Sequence, residues 1–168
     1  AEALAADPKE RAENVMIVDL LRNDLSRICA PHSVAVPTLC GIETYAGVHH
    51  LVSAVTGTLK EGADGLDLLA ATFPGGSITG APKLRAMDII TEIEGDAREA
   101  YCGAIGWIGF DGSLDTSIAI RTVMLDDTCA VLQAGGGVTL LSDPESEYRE
   151  TLTKAERVFS AFATGEGA

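Results

Sequence analysis

A chain of 168 residues, 46% of them hydrophobic, is long enough to bury a core and form a single domain. Its 25 acidic side chains against 12 Lys and Arg give a net charge of −13, which argues against a nucleic-acid or anionic-membrane partner, since both need basic surface. No run approaches the length of a membrane span and no signal peptide leads the chain, so a cytoplasmic location is expected. The chain opens on Ala1 rather than Met, as a processed or partial chain does.

The first helix is expected from Pro8 to Cys29, where Val15, Val18, Leu21, Leu25 and Ile28 trace an apolar face that Met16, Ile17 and Leu20 widen. So wide a face implies packing on more than one side. Arg22, Asn23, Asp24 and Arg27 read as a capping and salt-bridge cluster near its end. Residues 33–59 read as strands: Val34 and Val36 precede Pro37, and Val48 to Leu59 is β-branched with little helical period. A short helix follows at Leu66 to Thr72. Phe73 to Lys83 is a glycine-rich loop entering a further helix, with Pro82 at its first position, Leu84, Met87, Ile90 and Ile93 as its buried stripe, and Gly95 as its stop.

Tyr101 to Leu141 reads as antiparallel β. Ile105, Trp107, Ile108 and Phe110 lead into Asp111-Gly112-Ser113, a hairpin turn, and Ser117 to Leu125 returns. Cys129 to Ala134 and Val138 to Leu141 flank Gly135 to Gly137. The last helix starts near Asp143 and Pro144, with Tyr148, Leu152, Ala155, Phe159 and Phe162 as its core face. Helix, strands, helices, strands, helix is an α+β order, with antiparallel sheets packed with helices rather than a doubly wound parallel sheet.

Two glutamate pairs carry the chemical signal. Glu10 and Glu13, and Glu147 and Glu150, are spaced i, i+3 in stretches read as helix, so each pair shares a face. Carboxylates brought to one point make a hard oxygen site suited to Mg²⁺, and Lys154, one turn beyond Glu150, adds a cation for an anionic ligand. The same residues also serve as an ordinary helix ion pair and as acids answering a helix dipole. The loop 74–83 lacks P-loop spacing; its glycines and hydroxyls offer donors to an anion or form a plain turn. Gly135, Gly136 and Gly137 permit close backbone approach to a ligand, or a bend between strands. Arg121 lies in the apolar run Ile118-Ala119-Ile120, where burial demands a carboxylate partner from protein or substrate. His49 and His50 read as structural or surface residues, and Tyr101 packs or donates its hydroxyl. Cysteines at 29, 40, 102 and 129 show neither CxxC spacing nor clustered histidines, so zinc and a disulfide framework are not expected; buried reduced thiols are.

Many colinear segments together resemble the chorismate-utilising enzymes. They are Lys9-Glu10-Arg11-Ala12-Glu13-Asn14, Met16 to Asp24, His50-Leu51-Val52-Ser53, Gly80-Ala81-Pro82-Lys83 and Tyr101-Cys102-Gly103-Ala104. Ile118 to Thr122, Gln133 to Gly137 and Glu147-Tyr148-Arg149-Glu150-Thr151 complete the set. The resemblance implies the chorismate-binding α/β sandwich of the anthranilate synthase component I type. Residues 1–168 would be the C-terminal portion of a longer catalytic domain. It implies Mg²⁺ held by Glu13 and Glu150, with Glu10 and Glu147 in support, at the ring carboxylate of chorismate. Arg121, Tyr101, Lys154 and the backbone of Gly135, Gly136 and Gly137 match positions that receive the enolpyruvyl carboxylate and orient substrate. His50 matches the residue beside the departing C4 hydroxyl, Lys154 stands with it as a catalytic residue, and Ser77 matches a hydroxyl lining the pocket. Phe73 to Lys83 and Tyr101 to Thr122 look most like the aminodeoxychorismate synthase component I branch. That branch implies ammonia from a glutamine amidotransferase and amination at C4 toward para-aminobenzoate and folate. Anthranilate synthase component I, which aminates at C2 and eliminates pyruvate, is the nearest alternative. A binding or assembly fragment without chemistry is the alternative of another class.

Overall fold

Asp7 ends a first short helix, α1 (Glu2–Ala6), and starts the long α2 (Pro8–Ile28). Its carboxylate accepts the N–H of Lys9 at 2.8 Å and of Glu10 at 3.2 Å, and Pro8 follows where no intrahelical donor is needed. The expected end at Cys29 is the C-cap, whose N–H bonds to the Leu25 carbonyl. The computed structural model describes residues 1–46 and 48–162. They divide into two compact units, Ala1–Gly95 with Trp107–Asp115, and Asp96–Gly106 with Thr116 onward.

In the first unit α2 packs on an antiparallel ribbon of β1 (Ala35–Tyr45) and β2 (Val48–Thr56). The register pairs Tyr45 with Val48, Glu43 with His50 and Gly41 with Val52, then slips between Thr38 and Gly41 and again between Ala35 and Thr38. Pro37 sits in the irregular stretch, where a missing N–H breaks no regular ladder. Helix α3 (Gly65–Thr72) opens on a capping box between Asp64 and Asp67 and lies against α2. A 3₁₀ turn at Gly76–Ile78 approaches α2 so closely that a Cβ on Gly76 would sit 2.9 Å from the Cβ of Leu20. Helix α4 (Lys83–Glu94) ends at Gly95 in the left-handed conformation, as expected, but Pro82 takes its N-cap rather than its first helical position. Only the middle of its expected stripe is covered: Met87 and Ile90 are half-buried, whereas Leu84 and Ile93 are exposed.

The polar cluster late in α2 is a salt-bridge cluster indeed. Asp24 is buried and pairs with Arg27 at 2.7 Å and with Lys83 at 2.5 Å. Breaking such a buried pair typically costs about 3–5 kcal/mol, because it strands a desolvated charge.

The hairpin of β3 (Ala104–Ile108) and β4 (Leu114–Ile118) turns at Asp111 and Gly112 as expected; its tip belongs to the first unit and its base to the second. The expected strand from Ser117 to Leu125 is broken. Ala119 still exchanges backbone bonds with Cys102 and Gly103 at 2.9 Å, but residues 120–122 leave the ladder, Arg121 takes φ +54°, and pairing resumes in β5 (Val123–Leu125) with β6 (Ala130–Leu132). Val138–Leu141 is not a strand either, because Thr139 and Ser142 bond to each other and close a turn. The last helix, α5 (Pro144–Phe162), buries Ala155, but Tyr148, Leu152, Phe159 and Phe162 are exposed. Phe159 and Phe162 instead line an open apolar recess of about 410 Å³ with Val123 and Leu132. Cys29, Cys40 and Cys102 are buried, as expected; Cys129, expected buried, is exposed in the β5–β6 turn. Among the described residues, three two-stranded antiparallel sheets with helices make the class α+β. Among the described residues no helix is long and apolar enough to cross a membrane.

Candidate functional site

Each unit contributes its own set of candidate residues. In the first, Glu10 and Glu13 lie one turn apart on α2, both half-buried. Glu10 is also the acid of the first helical turn, so it answers the helix dipole as well. His50 is exposed on β2 and meets the ring of Tyr45 edge-on, centroids 5.7 Å apart. The Tyr45 hydroxyl donates to Glu43 at 2.6 Å; that bond, with the carboxylate's charge behind it, raises the phenol above its usual value. Ser77 is exposed in the 3₁₀ turn. The loop carrying it is tied to α2 by Lys83, whose ammonium donates to the Pro74 carbonyl at 2.7 Å while pairing with buried Asp24.

In the second unit the residues converge on Gly136. A Cβ there would meet Glu147 Oε2 at 3.4 Å, Lys154 Nζ at 3.5 Å and Glu150 Oε1 at 3.8 Å. Lys154 Nζ donates to the Gly135 carbonyl at 3.1 Å and pairs with Glu150 at 2.5 Å, so the helix ion pair and the ligand-facing cation are the same group. The hydroxyl of Tyr101 lies 3.3 Å from where a Cβ on Gly135 would stand. Its ring carries the Arg98 guanidinium 5.8 Å from the centroid, a cation–π contact that limits its rotation. Glycine at 135 and 136 therefore leaves a cradle lined by a hydroxyl, an ammonium and two carboxylates. Arg121 is exposed between β4 and β5, which removes the argument that burial forces a carboxylate partner upon it.

Among the described residues no three His, Cys, Asp or Glu side chains form a group able to hold a metal ion; the candidate carboxylates come as pairs, one per unit. A pair is still a fitting donor set. Mg²⁺ takes hard oxygens, commonly one or two carboxylates with water and substrate anions completing the shell.

Three features had no role in the sequence reading. Asp24–Lys83 bridges 59 positions, and Asn14 bonds to residues 37 and 39 positions away. Tyr45 against His50 is the third. The available signal for Asn14 was an amide standing beside the apolar stripe of α2.

Residues 1–160 match the family described as chorismate binding enzyme. Aminodeoxychorismate synthase component 1 of Salmonella typhimurium strain LT2 is 52% identical over 158 residues, covering 94% of this chain and 35% of the relative. Anthranilate synthase component 1 of Aquifex aeolicus strain VF5 is 48% identical over 165 residues, covering 98% of this chain and 33% of the relative. The crystal structure of anthranilate synthase component I from Streptococcus pneumoniae TIGR4 superposes with a TM-score of 0.85 at 44% identity, covering 92% of this chain and 36% of that one. The chain thus spans about a third of the length of the curated relatives it matches.

Proposed function

The chain belongs to the chorismate-binding enzyme family, and from that premise we propose that it is the C-terminal part of an aminodeoxychorismate synthase component I. The reaction proposed is amination of chorismate at C4 to 4-amino-4-deoxychorismate in the cytoplasm, with ammonia from a glutamine amidotransferase. The cradle at Gly136 is the observation that supports this chemistry best, because it gathers an ammonium, a hydroxyl and two carboxylates beside open backbone, donors for an anionic ligand and acids for the Mg²⁺ that would offset their charge. Lys154 and Tyr101 would hold the enolpyruvyl carboxylate, joined by Arg121 and the backbone of Gly137. Ser77 would line the ring pocket. Glu13 and Glu150, with Glu10 and Glu147 in support, would hold Mg²⁺. When bound, the metal would supply Lewis acidity at the ring carboxylate and fix its orientation. His50 would pass a proton to the C4 hydroxyl, which leaves as water while the nitrogen of ammonia bonds to C4.

Anthranilate synthase is the second reading, favoured by the 48% identity to the Aquifex aeolicus relative. The complete polypeptide, incubated with chorismate, ammonium and Mg²⁺, separates the two. Accumulation of 4-amino-4-deoxychorismate without pyruvate is expected. Direct release of anthranilate and pyruvate would overturn the assignment.

A further inference from the structure

We propose that Asn14 is a positioning residue whose side-chain amide holds β2, and with it His50, against the turn of α2 that carries Glu10 and Glu13. The inference rests on the function proposed above. Glu13 precedes Asn14 on the helix, and His50 precedes Leu51 on the strand. Asn14 Nδ2 donates to the Leu51 carbonyl at 3.0 Å. Its Oδ1 accepts from the Ser53 hydroxyl in a very short contact and from the Cys40 thiol at 3.4 Å. One amide therefore reaches both strands of the ribbon.

The network forms where the ladder is irregular. The register slips between Thr38 and Gly41, and Cys40 adopts φ +52°. The Cys40 N–H bonds to Ser53 Oγ at 2.8 Å, and the same hydroxyl donates onward to Asn14. A bulge re-aims the strand that carries it and frees backbone groups, which then need partners of their own. Ser53 partners the Cys40 N–H, and Asn14 accepts from Ser53 in turn while donating to the carbonyl of Leu51, which stays in register with Ile42 beside the slip. An amide offers both the donor for Leu51 and the acceptor for Ser53 and Cys40, which a carboxylate or an aliphatic residue of similar size does not. The ribbon and the helix are thereby locked at one point, beside the histidine proposed for proton transfer and the glutamate proposed for metal.

The test uses the complete polypeptide with chorismate, ammonium and Mg²⁺, and the variants Asn14→Ala, Ser53→Val and Ser53→Thr. Absence of Mg²⁺-dependent chorismate turnover in the unsubstituted enzyme overturns the function proposed and this inference with it. With turnover present, Asn14→Ala is expected to lower kcat on the order of 100-fold, as a misplacement of about 1 Å does, while the chorismate KM holds within about threefold. Ser53→Val should follow it, and Ser53→Thr, which keeps the hydroxyl at nearly the same volume, should recover most of kcat. Unchanged kcat per folded molecule in Asn14→Ala and Ser53→Val assigns the network to stability alone and overturns the proposal. Should Asn14→Ala not fold, the Thr and Val variants decide: equal kcat overturns the proposal, and recovery by Thr alone supports it.

Discussion

A methyl group on Gly136 would stand at ordinary contact distance from Glu147, Lys154 and Glu150, at 3.4, 3.5 and 3.8 Å. Alanine therefore fits without forcing these side chains aside. What it removes is room for ligand oxygens. Gly136→Ala is expected to fold with an unchanged melting temperature and to bind chorismate about tenfold more weakly, roughly 1.4 kcal/mol. Titration calorimetry on the complete polypeptide checks it, and equal affinity would show that no ligand enters the cradle. Gly76 makes the contrast: its absent Cβ would meet Leu20 at 2.9 Å, so its role is packing. At this scale the sequence was legible where chemistry is local. Glu150 and Lys154 share a helix face by spacing alone, and they form the ion pair that spacing implies. The bonds of Asn14 to Cys40, Leu51 and Ser53 and of Lys83 to Asp24 were opaque because they span 26 to 59 residues, a distance that spacing rules do not reach.

Elements show the same division between local and distant causes. Helix α2 was readable because its cap, its proline and its apolar stripe all lie within the segment. The break at 120–122 was not, because Ile118-Ala119-Ile120 has strand propensity and only the pairing, a non-local matter, ends the ladder after Ala119. What holds the short β5–β6 hairpin is its turn. Asp126 accepts from the Thr128 hydroxyl, from the N–H groups of Thr128 and Cys129, and from the Cys129 thiol. The Thr128 hydroxyl is the largest cause holding its carboxyl well below the ordinary value of 3.8. A lowered folded-state value means that the unfolded chain binds the proton more readily. The turn's stabilisation is therefore complete above 3.8 and is lost as pH falls through the lowered value. Protection of the Val123–Leu132 amides against hydrogen exchange, corrected for intrinsic rates, should decline below that pH. In Asp126→Ala it should be weak at every pH. A hairpin equally protected in strong acid would show that the carboxylate does not hold the turn.

Across the whole chain, composition and burial pull apart. Among the described residues the buried apolar side chains are Val18, Cys29, Cys40, Cys102, Ala119 and Ala155, none larger than valine. Large apolar side chains such as Trp107, Phe110, Leu140 and Phe162 are exposed instead. Hydropathy patterning identified the faces of α4 and α5 but not what covers them, since a stripe records only that some surface must be met. Burial contributes roughly 25 cal/mol per Å² of apolar area, so a chain with small side chains in its core has little to set against conformational entropy. Exposed apolar faces also attract one another, while a charge of −13 keeps copies apart at low ionic strength. The isolated chain is therefore expected to enhance the fluorescence of an apolar dye strongly, and to associate as salt shortens the Debye length from about 30 Å at 0.01 M to about 8 Å at 0.15 M. The longer polypeptide proposed above should do neither, its remaining chain covering these faces. Sedimentation velocity across that salt range reads the association directly. A monomer that stays dark to the dye and melts cooperatively at both ionic strengths would mean that the chain covers its own apolar faces in solution.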